Sequence, residues 1–168
     1  QVLFFSATFS NEIERMITEF LKNPVRISVK TRATAKNIEQ DVVLVKNNAK
    51  IEILHELLIK KEFVKVLIFG RTKYGVENLS NTLSKKGFKS ESIHGNKNLS
   101  QRKRALGMFK ENRVQILVAT DVAARGLDID NVSHVINYDM PATYDDYVHR
   151  IGRTGRGDKK GMALTFIE

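Results

Sequence analysis

Three arginines recur at every third residue within HRIGRTGRG, the segment that spans residues 149–157. Arg150 falls in the last turn of a predicted helix, where it could serve only to complement the helix dipole. Arg153 and Arg156 follow in a stretch that can bend at three glycines, and guanidinium groups at such bends suit phosphate. The glycines are spaced G-x-x-G-x-G, which argues against a dinucleotide-binding fingerprint. We therefore predict an anion site at Arg153 and Arg156.

A second polar cluster lies in ATDVAARGLDI, which spans residues 119–129. A predicted buried strand ends at Thr120 and Asp121, and a turn of small residues leads to Gly126 and Asp128. Small side chains let a backbone approach phosphate or ribose closely, while hydroxyl and carboxylate groups can bond to ribose or hold arginines. A Thr-Asp pair at a strand end is by itself ordinary turn chemistry. Its predicted position one strand away from the arginine segment favours a ligand-binding role.

Residues 92–106, SIHGNKNLSQRKRAL, predict a helix whose start could hold an anion. Ser100 is the expected cap of this helix, and Gln101 and Arg104 follow in its first turns. Together with Gly95, these two side chains could grip consecutive phosphates of one nucleic-acid strand. We interpret the other cations of this stretch as a solvated face, namely Lys97, Arg102 and Lys103.

The elements that must position these residues are short apolar strands alternating with amphipathic helices. This alternation predicts an α/β fold, with a parallel sheet covered by helices on both faces. Ligands of such sheets bind outside the carboxyl ends of the strands, so polar residues found there should share one edge. Those residues are Arg71 and Thr72, His94 and Gly95, and Thr120 and Asp121. The predicted strands cover residues 41–45, 64–69, 90–93, 114–120, 134–138 and 162–167.

The helix that precedes the arginine segment has recognisable ends. Thr143 and Asp146 have the spacing of a capping box, and Gly152 stands where the helix should stop. Apolar and aromatic side chains at helical spacing predict a buried stripe formed by Tyr144, Tyr147, Val148 and Ile151.

The first 37 residues predict a different organisation. Residues 2–5, VLFF, predict a buried strand, and Ser10 could cap a helix that follows it. Residues 25–29, VRISV, predict a second short strand, and residues 30–37 have no apolar periodicity. We therefore interpret residues 30–37 as a linker.

Composition limits the class of protein and its partners. The 168 residues include 28 lysines and arginines against 19 acidic residues, a formal net charge of +9 that suits a polyanionic partner. The absence of cysteine excludes disulfides, thiolate metal sites and cysteine nucleophiles, which fits an intracellular, cytoplasmic protein. The longest apolar runs are too short to cross a bilayer, so we expect no membrane partner.

Taken together and in this order, these motifs resemble those of the carboxyl-terminal half of a DEAD-box ATP-dependent RNA helicase. SAT (residues 6–8) resembles the third motif of that family, IFGRT (68–72) the fourth, and Q-x-x-R (101–104) the RNA-gripping motif after it. ATDVAARGLDI and HRIGRTGR match the fifth and sixth motifs nearly letter for letter. The resemblance covers essentially the whole chain. The sequence around SIHGNK and ARGLDI is most similar to the bacterial RhlE-type branch. Gly70 departs from the pattern, because the family often carries a bulkier residue there.

The resemblance implies two RecA-like domains with ATP and RNA bound in the cleft between them. Residues 1–29 would be the end of the first, ATP-binding domain, residues 30–37 the linker, and residues 38–168 the second domain. Arg153 and Arg156 would then contact the γ-phosphate of ATP as arginine fingers. The residues at the ribose side of ATP would be Gly126 and Asp128. The RNA backbone would be held by Arg71, Thr72, Gly95, Gln101, Arg104 and Thr120, and the coupling positions would be Ser6, Thr8 and His149.

Two motifs of the family do not occur in the sequence. There is no G-x-x-x-x-G-K-[ST] loop to cradle phosphates and no D-E-A-D tetrapeptide. ATP and Mg²⁺ would therefore be held mainly by the missing first domain, and we expect no metal ligands here and no ATP hydrolysis by the fragment alone. Residues 1–29 would be separated from their own sheet, and we expect them to support a non-native dimer.

Two alternatives stay open at this point. One is a superfamily 2 helicase domain that acts on DNA, which the Q-x-x-R motif and the close match at HRIGRTGR disfavour. The other is a non-catalytic RNA-binding or scaffold module, which would keep the basic strand-end surface without depending on Arg153 and Arg156.

Overall fold

The computed structural model describes residues 2–6, 11–27, 37–46, 49–127, 129 and 132–168. The chain divides into two units, Gln1–Thr31 and Arg32–Glu168. Thr8, Ser10 and Asp128 lie outside the described residues, as does almost all of the predicted linker. Whether the first unit is the end of a RecA-like domain stays a prediction.

The described part of the first unit contains one helix, α1 (Asn11–Phe20). The strands predicted at residues 2–5 and 25–29 are wrong wherever the structure describes them, since residues 2–6 and 24–27 form no strand. A strand needs a hydrogen-bonded neighbour, and none stands beside these residues within the described part of this unit. Their exposed apolar side chains are Val2, Leu3, Phe4, Phe5, Val25 and Ile27.

The described part of the second unit alternates strands and helices, as predicted. Its strands are β1 (Ile38–Leu44), β2 (Val66–Phe69), β3 (Ser90–Ile93), β4 (Ile116–Ala119), β5 (His134–Asn137) and β6 (Gly161–Ile167). Its helices are α2 (Lys50–Leu58), α3 (Lys73–Lys85), α4 (Leu99–Lys110), α5 (Asp121–Ala124) and α6 (Tyr144–Ile151). The short helix α5 stands where the sequence predicted only a turn of small residues.

The strands form one parallel sheet in the order β1-β6-β5-β2-β4-β3. Successive residues of the central strands point to opposite faces, because side chains alternate along an extended strand. Val66 and Ile68 pack in a core with α2 and α3, whereas Leu67 and Phe69 pack in a second core with α4 and α5. Both faces are therefore covered, which explains why β2, β4 and β5 are buried along their whole length.

Helix α6 has the predicted ends but not the predicted buried stripe. The Thr143 hydroxyl accepts the Asp146 N–H at 3.1 Å, and Gly152 follows the last helical residue. Ile151 is buried against Ile38 and Ala163, but Tyr144 is 77% exposed and Val148 is 36% exposed. Tyr147 is partly buried against the same cluster, so the predicted stripe is covered at Tyr147 and Ile151 and open to solvent at Tyr144 and Val148.

No helix within the described residues has both the length and the apolar character needed to cross a membrane.

Candidate functional site

Three loops meet at the carboxyl edge of the sheet. Phe69 and Ile93 both lie level with Ala119 in the parallel ladders, so β2, β3 and β4 end side by side. The loops that follow these strands carry Arg71, Thr72, Gly95 and Thr120. The prediction that these residues share one edge is confirmed. All except the buried Thr120 are exposed.

The start of α4 adds Gln101 and Arg104 to this edge. The cap of α4 is Asn98 and not Ser100: the Asn98 side chain accepts the Gln101 N–H at 2.9 Å, and the Gln101 side chain accepts the Asn98 N–H at 3.0 Å. Both members of this capping box are exposed, so Gln101 stays within reach of a ligand. The Arg104 guanidinium donates to the Glu91 carboxylate at 2.9 Å, and its side chain is otherwise exposed.

Two of the three cations interpreted as a solvated face have specific partners instead. The Arg102 guanidinium donates to the carbonyl of Ala123 at 3.2 Å, which ties α4 to α5. Lys97 lies between Glu77 and Glu91, at 3.5 and 3.8 Å. That interpretation was wrong because it took no account of side chains arriving from neighbouring elements.

Glu77 on α3 organises the loop after β3. Its carboxylate accepts hydrogen bonds from the Ser92 hydroxyl and from His94 Nε2, the latter at 2.9 Å. The Asn96 N–H donates to His94 Nδ1 at 3.3 Å, which places the ring proton on Nε2. Burial alone would raise the pKa of Glu77, but the bonds from Ser92 and His94 and the charge of Lys97 outweigh burial and lower it. The charged carboxylate thereby fixes the loop that presents Gly95.

Arg150 is buried at the centre of the second unit, with 2% of its surface exposed. Its Nε and Nη2 donate to the two oxygens of Asp121 at 2.6 and 2.7 Å. Its Nη1 donates to Asn137 Oδ1 at 3.1 Å and to the Asp139 carbonyl at 2.7 Å, and the guanidinium lies over the Phe69 ring. The hypothesis that Arg150 merely complements the helix dipole is therefore wrong.

This pairing also changes the picture of how the two motifs meet. The strand β2 lies between β4 and β5, so Thr120 is not one strand away from the segment that follows β5. Helix α6 instead carries Arg150 back to Asp121, the first residue of α5. Asp121 therefore holds an arginine. The sequence had left two roles open for such a carboxylate, bonding to ribose or holding an arginine.

Arg156 lies near the amino-terminal edge of the sheet, whereas Arg153 lines a hollow with Phe69 and Asp121 at the carboxyl ends of β2 and β4. Thr154, between them, forms a parallel bridge with Val132, just ahead of β5. Arg153 Nη1 donates to the Leu127 carbonyl at 2.9 Å, whereas the exposed Arg156 donates from Nε to the Gly152 carbonyl at 2.9 Å. Arg156 and the Arg71 loop therefore lie toward opposite edges of one sheet.

The predicted bends of this segment are present at Gly155 and Gly157, with φ of 64° and 62°. At Gly155 an added Cβ would lie 2.6 Å from Ile38 Cγ1 and 3.0 Å from the Asn37 carbonyl oxygen. Gly155 is therefore required both by its left-handed backbone and by its contact with the start of β1. Gly126, with φ of 72°, is exposed in the loop that precedes the undescribed Asp128.

Arg156 lines a cavity of about 640 Å³ near this edge. The cavity also takes side chains from the loop before β2 and from the end of α4. Its cationic lining residues are Lys65, Lys110, Arg156, Lys159 and Lys160. Such a lining favours an anionic group next to Arg156.

His149 lies between the two edges, beside Arg150 and Arg153 in a small hollow above Phe69. Opposite it, Arg125 donates to the Asp146 carboxylate at 2.5 Å. The hydrogen bond from the Thr143 hydroxyl, together with Arg125, lowers the pKa of Asp146 although burial opposes this. Ser6 is exposed in the first unit, and its predicted coupling role stays a prediction.

The described residues contain no group of three or more His, Asp or Glu side chains close enough to hold a metal ion. The expectation that Mg²⁺ is held elsewhere stays a prediction.

Comparison with known proteins decides the family. Residues 49–158 match the model of the helicase conserved C-terminal domain, which is more than half of the chain. The chain belongs to that helicase family. Its relatives place it among the DEAD-box helicases.

The helicase chain is 46% identical over 169 residues to the ATP-dependent RNA helicase CshA of Listeria monocytogenes, covering 100% of this chain and 32% of that protein. It is 45% identical over 168 residues to the DEAD-box ATP-dependent RNA helicase CshA of Bacillus cereus, covering 99% and 32%. The chain thus spans about a third of the length of these relatives. The RhlE-type assignment stays a prediction.

Solved structures agree with the predicted RecA-like α/β fold, which is confirmed. Dbp5 of S. cerevisiae bound to RNA and ADP BeF3 superposes with a TM-score of 0.82 at 33% identity, covering 98% of this chain and 44% of that one. The E. coli DEAD-box protein SrmB, bound to regulator of ribonuclease activity A, gives 0.75 at 40% identity, covering 79% of each chain.

Proposed function

We propose that this domain is the carboxyl-terminal half of a cytoplasmic ATP-dependent RNA helicase that unwinds short duplexes locally. The observation that carries the proposal is the combination of its DEAD-box relatives with Arg156 and a polar strand-end surface toward opposite edges of one sheet. Two ligands can then be held at once by one domain.

The nucleotide side is the arginine segment. The residues present fit the phosphate end of ATP, because the exposed Arg156 stands beside a cavity with four lysines. Arg153 is held at the neighbouring loop by its bond to the Leu127 carbonyl. When bound, ATP supplies the phosphoanhydride bond whose hydrolysis drives release. Arg153 and Arg156 act as arginine fingers that neutralise charge at the γ-phosphate, and Gly126 and Asp128 lie at the ribose.

ATP and Mg²⁺ are held mainly by a first RecA-like domain, which carries the phosphate loop. Since no phosphate-loop motif occurs in this sequence, the chain by itself does not hydrolyse ATP. It supplies the arginines and part of the RNA surface when the two domains close. Ser6 and Thr8 link that closure to strand separation.

The RNA side is the carboxyl edge of the sheet, with Arg71, Thr72, Gly95, Gln101, Arg104 and Thr120. Exposed cations and strand-end amides suit phosphate and sugar, and they read no base edge. Binding therefore shows little sequence preference and weakens as salt rises. His149 and the buried Arg150 lie between the two edges and transmit movement from one to the other.

The proposal is tested by RNA-stimulated ATP hydrolysis in the parent protein, with Arg156→Ala against the unchanged enzyme. Turnover should fall roughly 10³-fold or more, as expected when an arginine finger is removed. RNA binding should be retained, because Arg156 makes a single backbone bond within the described structure and its loss should not disturb the fold. Arg156→Lys keeps the charge but loses the planar fork, and it should recover only a small part of the activity.

Arg113→Ala is the matched control, since Arg113 is an exposed arginine at the end of α4 that pairs with Glu111. Its turnover should match that of the unchanged enzyme. Unchanged turnover in Arg156→Ala would mean that the arginine segment is a structural or RNA-facing surface, whereas no RNA-stimulated turnover in the unchanged parent protein would favour a non-catalytic RNA-binding module.

A further inference from the structure

Asp139, which follows β5, joins three elements of the carboxyl edge. Its Oδ2 accepts the Arg71 N–H at 2.8 Å, and its Oδ1 accepts the Lys50 ammonium at 3.3 Å. Its backbone carbonyl accepts Arg150 Nη1 at 2.7 Å, and its own N–H donates to the Phe69 carbonyl at 3.2 Å. Asp139 thus links the loop after β2 directly to the buried arginine.

The loop after β2 is fixed at three successive residues. The Gly70 N–H donates to the Ala119 carbonyl at 3.0 Å, and the Arg71 N–H donates to Asp139. The Thr72 hydroxyl then accepts the Gly75 N–H at 3.0 Å as the cap of α3. Of these three, the contact at Arg71 is the one made to a charged side chain. It sets the direction in which the exposed Arg71 side chain leaves the sheet.

Gly70 is the small residue that this arrangement requires. An added Cβ would lie 2.9 Å from Val76 Cγ2 and 3.6 Å from Asp139 Oδ2. Val76 is fully buried in the core and fills the space that a larger residue 70 would occupy. Any side chain at position 70 must displace Val76, and its Cβ would lie in van der Waals contact with the carboxylate that holds Arg71.

We propose that Asp139 is a positioning residue for RNA binding, and that Gly70 and Val76 form a size-matched pair that gives its carboxylate access to the Arg71 backbone. The inference rests on the proposed RNA surface and adds to it a residue that need not touch RNA. Removing an acidic group normally strengthens binding to a polyanion. A positioning role predicts the opposite sign.

The test is the affinity of this chain for a fluorescein-labelled single-stranded oligouridylate, measured by anisotropy at low salt. Asp139→Ala should weaken binding about three- to tenfold, because the backbone N–H of Arg71 loses the carboxylate that accepts it. Asp139→Asn keeps an acceptor oxygen and should stay closer to the unchanged chain. Glu111→Ala removes an exposed acid at the far end of α4 and should leave binding equal or slightly tighter.

The pair at positions 70 and 76 is tested in the same assay. Gly70→Ala should weaken binding, and adding Val76→Ala should restore part of the loss, since it removes the methyl group that the new Cβ meets. The exchange rate of the Arg71 amide should rise in Asp139→Ala and in Gly70→Ala, a readout that needs no RNA.

Tighter binding by Asp139→Ala, with slow exchange at Arg71, would overturn the inference. If Arg71→Ala weakens binding while Asp139→Ala and Gly70→Ala do not, the RNA surface stands and the positioning role is wrong. If the unchanged chain binds no RNA even at low salt, the proposed surface and the inference are both wrong.

Discussion

A single guanidinium in the core decides much of the local geometry at the residue scale. The Arg150 guanidinium can be buried because each of its three nitrogens donates to an oxygen acceptor. Asn137 extends this hydrogen-bond network to β6, because its side-chain amide donates to the Thr165 hydroxyl at 3.0 Å. The first arginine of the segment is thus structural, while Arg153 and Arg156 point to the nucleotide in our proposal.

Replacing Arg150 by alanine should lower the free energy of unfolding by about 3 kcal/mol, because Asp121 and Asn137 lose their partner in the interior. The free energy of unfolding of Arg150→Lys should lie between the values of the unchanged chain and of Arg150→Ala, since an ammonium cannot reproduce the two hydrogen bonds that the guanidinium donates to Asp121. Urea denaturation of this chain measures both. Arg113→Ala, which breaks an exposed pair at 3.5 Å, should change the value by about 0.5 kcal/mol or less. Equal losses in Arg150→Ala and Arg113→Ala would contradict this account.

Helix ends and strand ends carry the site at the element scale. Thr72 caps α3, Asn98 caps α4 and Thr143 caps α6, and each cap lies at or near a loop that holds candidate residues. The side chains that cap these helices therefore also fix the loops where ligands are proposed to bind. Local stability and site geometry depend on the same hydrogen bonds.

Asn98→Ala should cost about 1 kcal/mol of stability, whereas Ser100→Ala should cost only a few tenths. The two polar residues are both exposed and stand two positions apart, so their comparison isolates the cap. Urea denaturation of both variants measures the difference. A larger loss for Ser100→Ala would show that the cap assignment is wrong.

The sequence predicts the strands and helices of the second unit well, because buried parallel strands read as short apolar runs. It does not predict the partner of Arg150, since Asp121 is brought to it by the path of α6. Asn98 and Gln101 carry a capping-box spacing that could have identified the cap, but Ser100 offered a competing signal. Residues 2–5 mislead because an apolar run predicts a strand only where a neighbouring strand is available.

The two units differ sharply in burial at the scale of the whole molecule. Both faces of the sheet in the second unit are covered, whereas the described part of the first unit leaves several large apolar side chains in solvent. Phe5 and Ile27 are 88% and 87% exposed. Exposed apolar surface of this kind favours association with another protein surface.

We therefore expect the chain to self-associate through residues 1–31, so that removing them abolishes self-association and leaves the second unit folded. Sedimentation velocity over a range of concentrations, with circular dichroism of the truncated chain, measures both. Replacing Phe5 and Ile27 by aspartate in the full chain should also weaken self-association, because it places charge on the exposed apolar surface. Equal association of the truncated and full chains would place the contact on the second unit instead.

The order of strands in the sheet has a consequence for synthesis on the ribosome. Ile38 opens β1, yet its ladder partner is Gly161 at the start of β6, and β6 alone joins β1 to the rest of the sheet. The first strand of this unit to leave the exit tunnel therefore has no place until the last one has been translated. We expect the four strands from β2 to β5 to assemble early and the outer pair to close the domain only once β6 has left the tunnel.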